Sequence, residues 1–127
     1  MTTVVITNLT RGTTLASQAR RAGGMLQRLV GLLARRTFSP GEALVIPRCN
    51  GIHTWFMRFP IDVVFMNRAG YVVKTIPRVP AFRMVWALGA RTAIELPAGT
   101  LAKTVTKPGE LLRIKEAGRE GKTPAAA

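Results

Sequence analysis

Apolar and polar positions alternate with a period of two over much of this chain, and short turn-forming clusters cut the alternation into brief segments. Residues 4–8 and 14–18 read as two strands, with Thr10-Arg11-Gly12-Thr13 turning between them. From residue 22 to 35 the period lengthens to that of a helix. Ala22, Met25, Leu26, Leu29, Val30 and Leu33 gather on one side, and Arg21, Arg28 and Arg35 line the other. Ser39-Pro40-Gly41-Glu42 is a turn, and residues 43–46 form a short buried strand stopped by Pro47. Residues 61–66 and 71–76 are rich in β-branched side chains and predict a hairpin at the centre of a sheet. Asn67-Arg68-Ala69-Gly70 closes it, with Gly70 at the left-handed position.

Pro77 and Pro80 interrupt the pattern that follows, so residues 77–90 read as a loop. A strand is expected over 92–96, one helical turn over 101–105, and a last strand over 111–114. Before that strand, Lys107-Pro108-Gly109-Glu110 places Pro and Gly where a type II turn needs them. The expected fold is α+β and mainly antiparallel β: a compact single sheet or small barrel-like domain with one principal helix. Residues 1–114 are expected to form one domain and residues 115–127 a flexible tail.

Composition adds limits. A chain of 127 residues can bury a core, and no apolar run approaches the ~20 residues a membrane span needs. The N-terminal sequence has no charged region leading into an apolar core, and the lone cysteine excludes an internal disulfide. A cytoplasmic protein is the expectation. The net charge of +13 changes the picture more. Fourteen of the nineteen cations are arginine, whose planar fork suits phosphate and carboxylate. Anionic ligands, acidic partners and nonspecific nucleic-acid contact all fit such a charge. The arginines are scattered along the chain, however, so a plain solvated basic surface fits as well.

Polar chemistry is concentrated in CNGIHTWFMRFPIDVVF, residues 49–65, which holds the only histidine and the only cysteine. Strand alternation sets Asp62 between apolar neighbours, and Glu95 likewise, so each carboxylate needs a partner. Backbone N–H groups, Arg58 and His53 are available to Asp62.

The blocks IHTWFMRFPIDVVF, RAGYVVK, AIELPAG and KPGELLRI, with RLVGLLARR upstream, resemble the DUF192 family, also called UPF0127, over about residues 13 to 114. The resemblance implies a compact, mainly β fold with one principal helix. It implies no activity, cofactor or partner, because the family has none assigned. Asn67 stands where family members usually carry aspartate, and the export signal of many relatives is missing.

Three chemistries compete for the site. Cys49, His53 and Met57 form a soft donor set, but their spacing of four converges only on a helix, which Gly51, Thr54 and Trp55 disfavour; no metal is expected. Cys49 with His53 as base and Asp62 or Glu95 as orienter is the pattern of a small enzyme. The chain has no nucleophile elbow, phosphate loop or zincin pattern to support it. Trp55, Phe56, Phe59 and Phe82, interleaved with Arg48, Arg58, Arg78 and Arg83, suit a noncatalytic cleft or single-stranded nucleic acid. The ordinary alternative is that these aromatics build the core. The favoured expectation is a noncatalytic binding or interaction domain with no cofactor, in which His53, Asp62 and Glu95 converge on one side of the sheet. Arg58, Trp55, Cys49 and Met57 are the further candidate residues.

Overall fold

The computed structural model describes residues 3–22, 38–55 and 57–117. Nine strands are assigned among them: β1 (Thr3–Asn8), β2 (Thr13–Arg21), β3 (Glu42–Pro47), β4 (Gly51–His53), β5 (Ile61–Met66), β6 (Val72–Val79), β7 (Met84–Trp86), β8 (Thr92–Pro97) and β9 (Leu112–Glu116). One short helix, α1 (Thr100–Thr104), lies between β8 and β9. The principal helix expected over 22–35 falls, apart from Ala22, outside the described residues.

Seven strands make one sheet in the order β6-β5-β8-β3-β2-β1-β9, and β4 pairs with β7 in a separate two-stranded ribbon. Every pair is antiparallel except β2–β3. The large sheet curls into a half-barrel, as bulges in β1 and β5 increase local twist. Its two ends meet at a Tyr71–Leu111 bridge, where Val72 N–H donates to Glu110 O and Leu112 N–H to Gly70 O. This is an α+β, antiparallel-rich, barrel-like architecture, as the patterning predicts.

The 61–66 hairpin pairs as expected, but β6 is an edge strand and the hairpin lies at one end of the sheet, not at its centre. Gly70, at φ 96°, closes it, with its N–H donating to Asn67 O and the Asn67 side chain accepting from Ala69 and Tyr71 N–H. The 77–90 loop is also corrected. β6 runs through Pro77 to Val79, and residues 84–86 form β7. Pro77 is tolerated because an edge strand has N–H positions that no neighbour needs.

The core has two parts, one on each face of the sheet. Val4, Ile6, Leu15, Val64, Ile94, Leu96, Leu101 and Leu112 fill the inside of the curl. Leu44, Ile46, Ile61, Val63, Phe65 and Ala93 form the other face, against which Ile52 and Val85 of the ribbon pack. β5 is therefore covered on both sides. That is why IDVVF is almost continuously apolar where a half-exposed strand would alternate.

Candidate functional site

The ribbon is short, and its two faces differ sharply. Antiparallel partners share a face, so Ile52 and Val85 point toward the core while His53 and Met84 point away from it. Trp86, two residues beyond Met84, shares the outer face, opposite Gly51. The chain continues past His53 to Trp55 and enters β7 from Phe82. His53 and Trp55 meet edge to face at 5.8 Å between centroids, and Trp55 and Phe82 at 6.2 Å. The exposures are large for such residues: Trp55 38%, Phe82 57%, Met84 64% and Trp86 61%. Large apolar groups normally avoid this much water, so a contiguous set of them is a candidate interaction surface.

Two cations adjoin the ribbon. Lys74 Nζ donates to Trp86 O at 2.8 Å, and Arg83 stands between Phe82 and Met84 in the chain. Between Glu42 and Glu95 there are seven cations and a single acid, Asp62, which is completely buried. No negative side chain from that stretch offsets them at the surface.

Two buried polar residues hold this region. Thr54 N–H donates to Arg83 O, and its hydroxyl donates to Pro80 O at 2.6 Å and accepts Arg83 N–H at 2.9 Å. Phe82 N–H donates to Thr54 O. Asp62 accepts Arg78 N–H on Oδ1 at 2.9 Å, and Gly99 and Leu101 N–H on Oδ2 at 3.1 and 2.8 Å. One carboxylate thus fixes the end of β6 and also caps the start of α1, where Gly99 has no side chain to do so. Arg78 and Phe82 both have positive φ, at 48° and 63°, as does Arg48 just before β4 at 53°. Such conformations are costly for non-glycine residues and persist where neighbours over-determine them. Here Asp62 and Thr54 supply that restraint to Arg78 and Phe82.

The expected convergence of His53, Asp62 and Glu95 does not occur. Asp62 pairs with Leu96 and Val63 with Glu95, so the two carboxylates point to opposite faces of the sheet. Asp62 faces the inside of the curl, and Glu95 is buried on the other face, beside Leu44 in register. His53 is exposed on the ribbon, its Nδ1 accepting Trp55 N–H at 3.3 Å. Cys49 is buried and donates its thiol to Gly51 O, while Met57 is half-buried against the same apolar cluster. Cys49 and Met57 belong to the core side and His53 to the solvent side. The extended backbone of β4 separates them. Arg58 is exposed, and the Asp62 carboxylate is held by the backbone N–H groups of Arg78, Gly99 and Leu101. Among the described residues, no three of the histidine, cysteine, aspartate and glutamate side chains gather as a metal site.

The aromatics are divided. Phe59 packs at 6.0 Å from Phe38 as part of the core, Trp55 and Phe82 are exposed, and Phe56 lies outside the described residues. Met84 and Trp86 went unread because the prolines before them signal a loop. The available signal was the alternation Phe82-Arg83-Met84-Val85-Trp86.

A second polar cluster, also unread from sequence, closes the far end of the sheet. Glu110 accepts Asn8 Nδ2 and Lys107 N–H on one oxygen and pairs with Arg11 through the other. Asn8, Lys107 and Arg11 together hold the Glu110 carboxyl below the ordinary carboxylate range, against the opposing effect of burial.

The fold and site define a small antiparallel-rich half-barrel with an external aromatic ribbon. The chain belongs to the DUF192 family, "Uncharacterized ACR, COG1430", whose model matches residues 6–114. No curated protein matches it. Two crystal structures are similar in fold. A protein of unknown function from Novosphingobium aromaticivorans has 17% identity and a TM-score of 0.73, with 87% of this chain and 83% of that one covered. A Sinorhizobium meliloti protein, described as a "putative transcription regulator", has 20% identity and a TM-score of 0.75, with 88% and 92% covered. Among the described residues no helix is long and apolar enough to cross a membrane.

Proposed function

We propose that this protein is a noncatalytic binding domain that takes an anionic partner on the outer face of the β4–β7 ribbon. The observation that carries the reading is the contiguous exposure of His53, Trp55, Phe82, Met84 and Trp86 in a stretch whose only acid is buried. Flat apolar groups beside cations bind ligands that combine negative charge with planar or apolar parts. Asp62 and Thr54 act as positioning residues, holding the loop that carries Arg78 and Phe82. An enzymatic reading has less support, because Asp62 spends its carboxylate on three backbone N–H groups and Cys49 is buried away from the ribbon's outer face. The Sinorhizobium meliloti neighbour's description agrees with an anionic partner, but at 20% identity that likeness carries the fold alone.

The test uses a convenient property of the chain. Its two tryptophans, Trp55 and Trp86, are both on the proposed surface, so intrinsic fluorescence reports on that surface alone. Titration with inorganic polyphosphate at low salt is expected to give a saturable change that weakens in Arg83→Ala and Lys74→Ala. An unchanged spectrum, with no binding by calorimetry, would overturn the reading.

A further inference from the structure

The anion-binding reading leaves the partner's chemistry open, and the ribbon narrows it. We infer that the ribbon is a stacking platform for single-stranded nucleic acid, with bases on Trp86, Phe82, Trp55 and His53 and phosphates on the flanking cations. The inference rests on the proposed binding face. Three features favour this partner over an acidic peptide or an anionic membrane.

The first is the kind of apolar group. An acidic peptide needs cations but has little use for four exposed rings, whereas every base has a π-face that such rings can meet. The second is geometry. Met84 and Trp86 rise from one face of a strand two residues apart, about 6.8 Å. This is about twice the 3.4 Å rise of a stacked strand, so one base fits between the Met84 thioether and the Trp86 indole. The rings are also braced: His53 is held against Trp55, and Trp55 against Phe82, edge to face. A braced ring leaves a defined π-surface at little entropic cost, while membrane insertion asks for free apolar tips. Among the described residues Leu88, 92% exposed, has that character most.

The third feature is the cation chemistry. Of the seven cations in residues 43–94, six are arginine and only Lys74 is lysine. Arginine grips phosphate with two N–H groups and also stacks on bases, which a lysine point charge does not do. A lipid surface, by contrast, attracts both residues through charge. The sequence carries no base-reading motif, so recognition is expected to depend on stacking and charge without strong sequence preference.

The deciding experiment compares anionic ligands of different chemistry. The full chain is titrated, by tryptophan fluorescence, with an oligothymidine of about 12 nucleotides, a length within the site sizes of stacking platforms. An abasic oligomer of the same length, poly-glutamate, and vesicles of phosphatidylcholine with phosphatidylglycerol are titrated at the same salt. Oligothymidine is expected to bind about tenfold or more tighter than the abasic oligomer, with a further loss of about tenfold in Trp86→Ala, where Trp55 still reports. Phe82→Ala should act in the same direction, and unchanged melting temperatures would show both variants folded. Equal affinity for the thymidine and abasic strands would overturn the inference, leaving a charge-only binding face. Tighter binding of poly-glutamate or of the vesicles would also overturn it, by naming the other partner. If none of the four ligands bound, the proposed function itself would fail.

Discussion

At the scale of single residues, the buried acids do more than their neighbours in sequence suggest. Alternation along residues 61–66 correctly implies that Asp62 is buried and needs partners. It says nothing about partners 16, 37 and 39 residues away, because those depend on how β6 and α1 are brought to β5. Asp62→Ala leaves three backbone N–H groups without their acceptor, each costing about 1–3 kcal/mol if it stays dry. A loss of about 3 kcal/mol or more is therefore expected in urea unfolding. Asp62→Asn should fall between, since its carbonyl can still accept from Gly99 and Leu101 while its amide meets the Arg78 N–H. A wild-type midpoint for the alanine variant would refute this account. Glu110 gives a second prediction, in pH. Its carboxyl titrates lower in the folded chain than in the unfolded one, so its stabilising effect is present above the ordinary glutamate value of about 4.3 and fades as pH falls through the lowered one. Glu110→Gln should accordingly destabilise the protein at neutral pH and approach wild type in acid. A gap in urea midpoint that stayed constant with pH would contradict the assignment.

At the scale of elements, what was legible followed from local rules. The 61–66 hairpin, its Gly70 turn and the strands over 4–8, 43–46 and 92–96 all rest on period-two patterning and turn chemistry, which need no knowledge of neighbours. Register is a different matter. Asp62 lies opposite Leu96; one residue of slip would have set it opposite Glu95, with both carboxylates on one face as expected. Nothing within either strand's sequence decides that slip. The ribbon was hidden for another reason: β7 is three residues long and follows two prolines, so its outward aromatics looked like part of a loop. Two glycine-sensitive positions test the element account. Gly70→Ala forces an L-residue to φ 96° and sets its Cβ 3.1 Å from Leu112 O, so a loss exceeding the ~1–2 kcal/mol of the dihedral alone is expected in thermal melts. Val105 presents the reverse case, a β-branched residue at φ 56° ending α1. Val105→Gly is expected to raise stability by about 1 kcal/mol, and a lower melting temperature would count against strain at that cap.

At the scale of the whole molecule, charge acts on folding and binding with opposite signs. A net charge of +13 on 127 residues repels itself in the compact state, and salt relieves that repulsion as the Debye length shrinks from about 30 Å at 0.01 M to about 10 Å at 0.1 M. The melting temperature is expected to rise with sodium chloride over this range, since Asp62 is held by uncharged backbone groups that salt does not weaken. Binding of a single strand should move the other way. If the ribbon is the contact face, three or four phosphates meet cations such as Lys74 and Arg83, and log K should fall against log salt with a slope of about −2 to −3. If instead the strand wraps the basic surface at large, many more cations are engaged and the slope steepens toward about −9. The number of phosphates counted in this way distinguishes a built face from a diffuse positive shell, a distinction that the net charge alone cannot make. A steep slope, together with an intact slope in Lys74→Ala, would move the binding site off the ribbon.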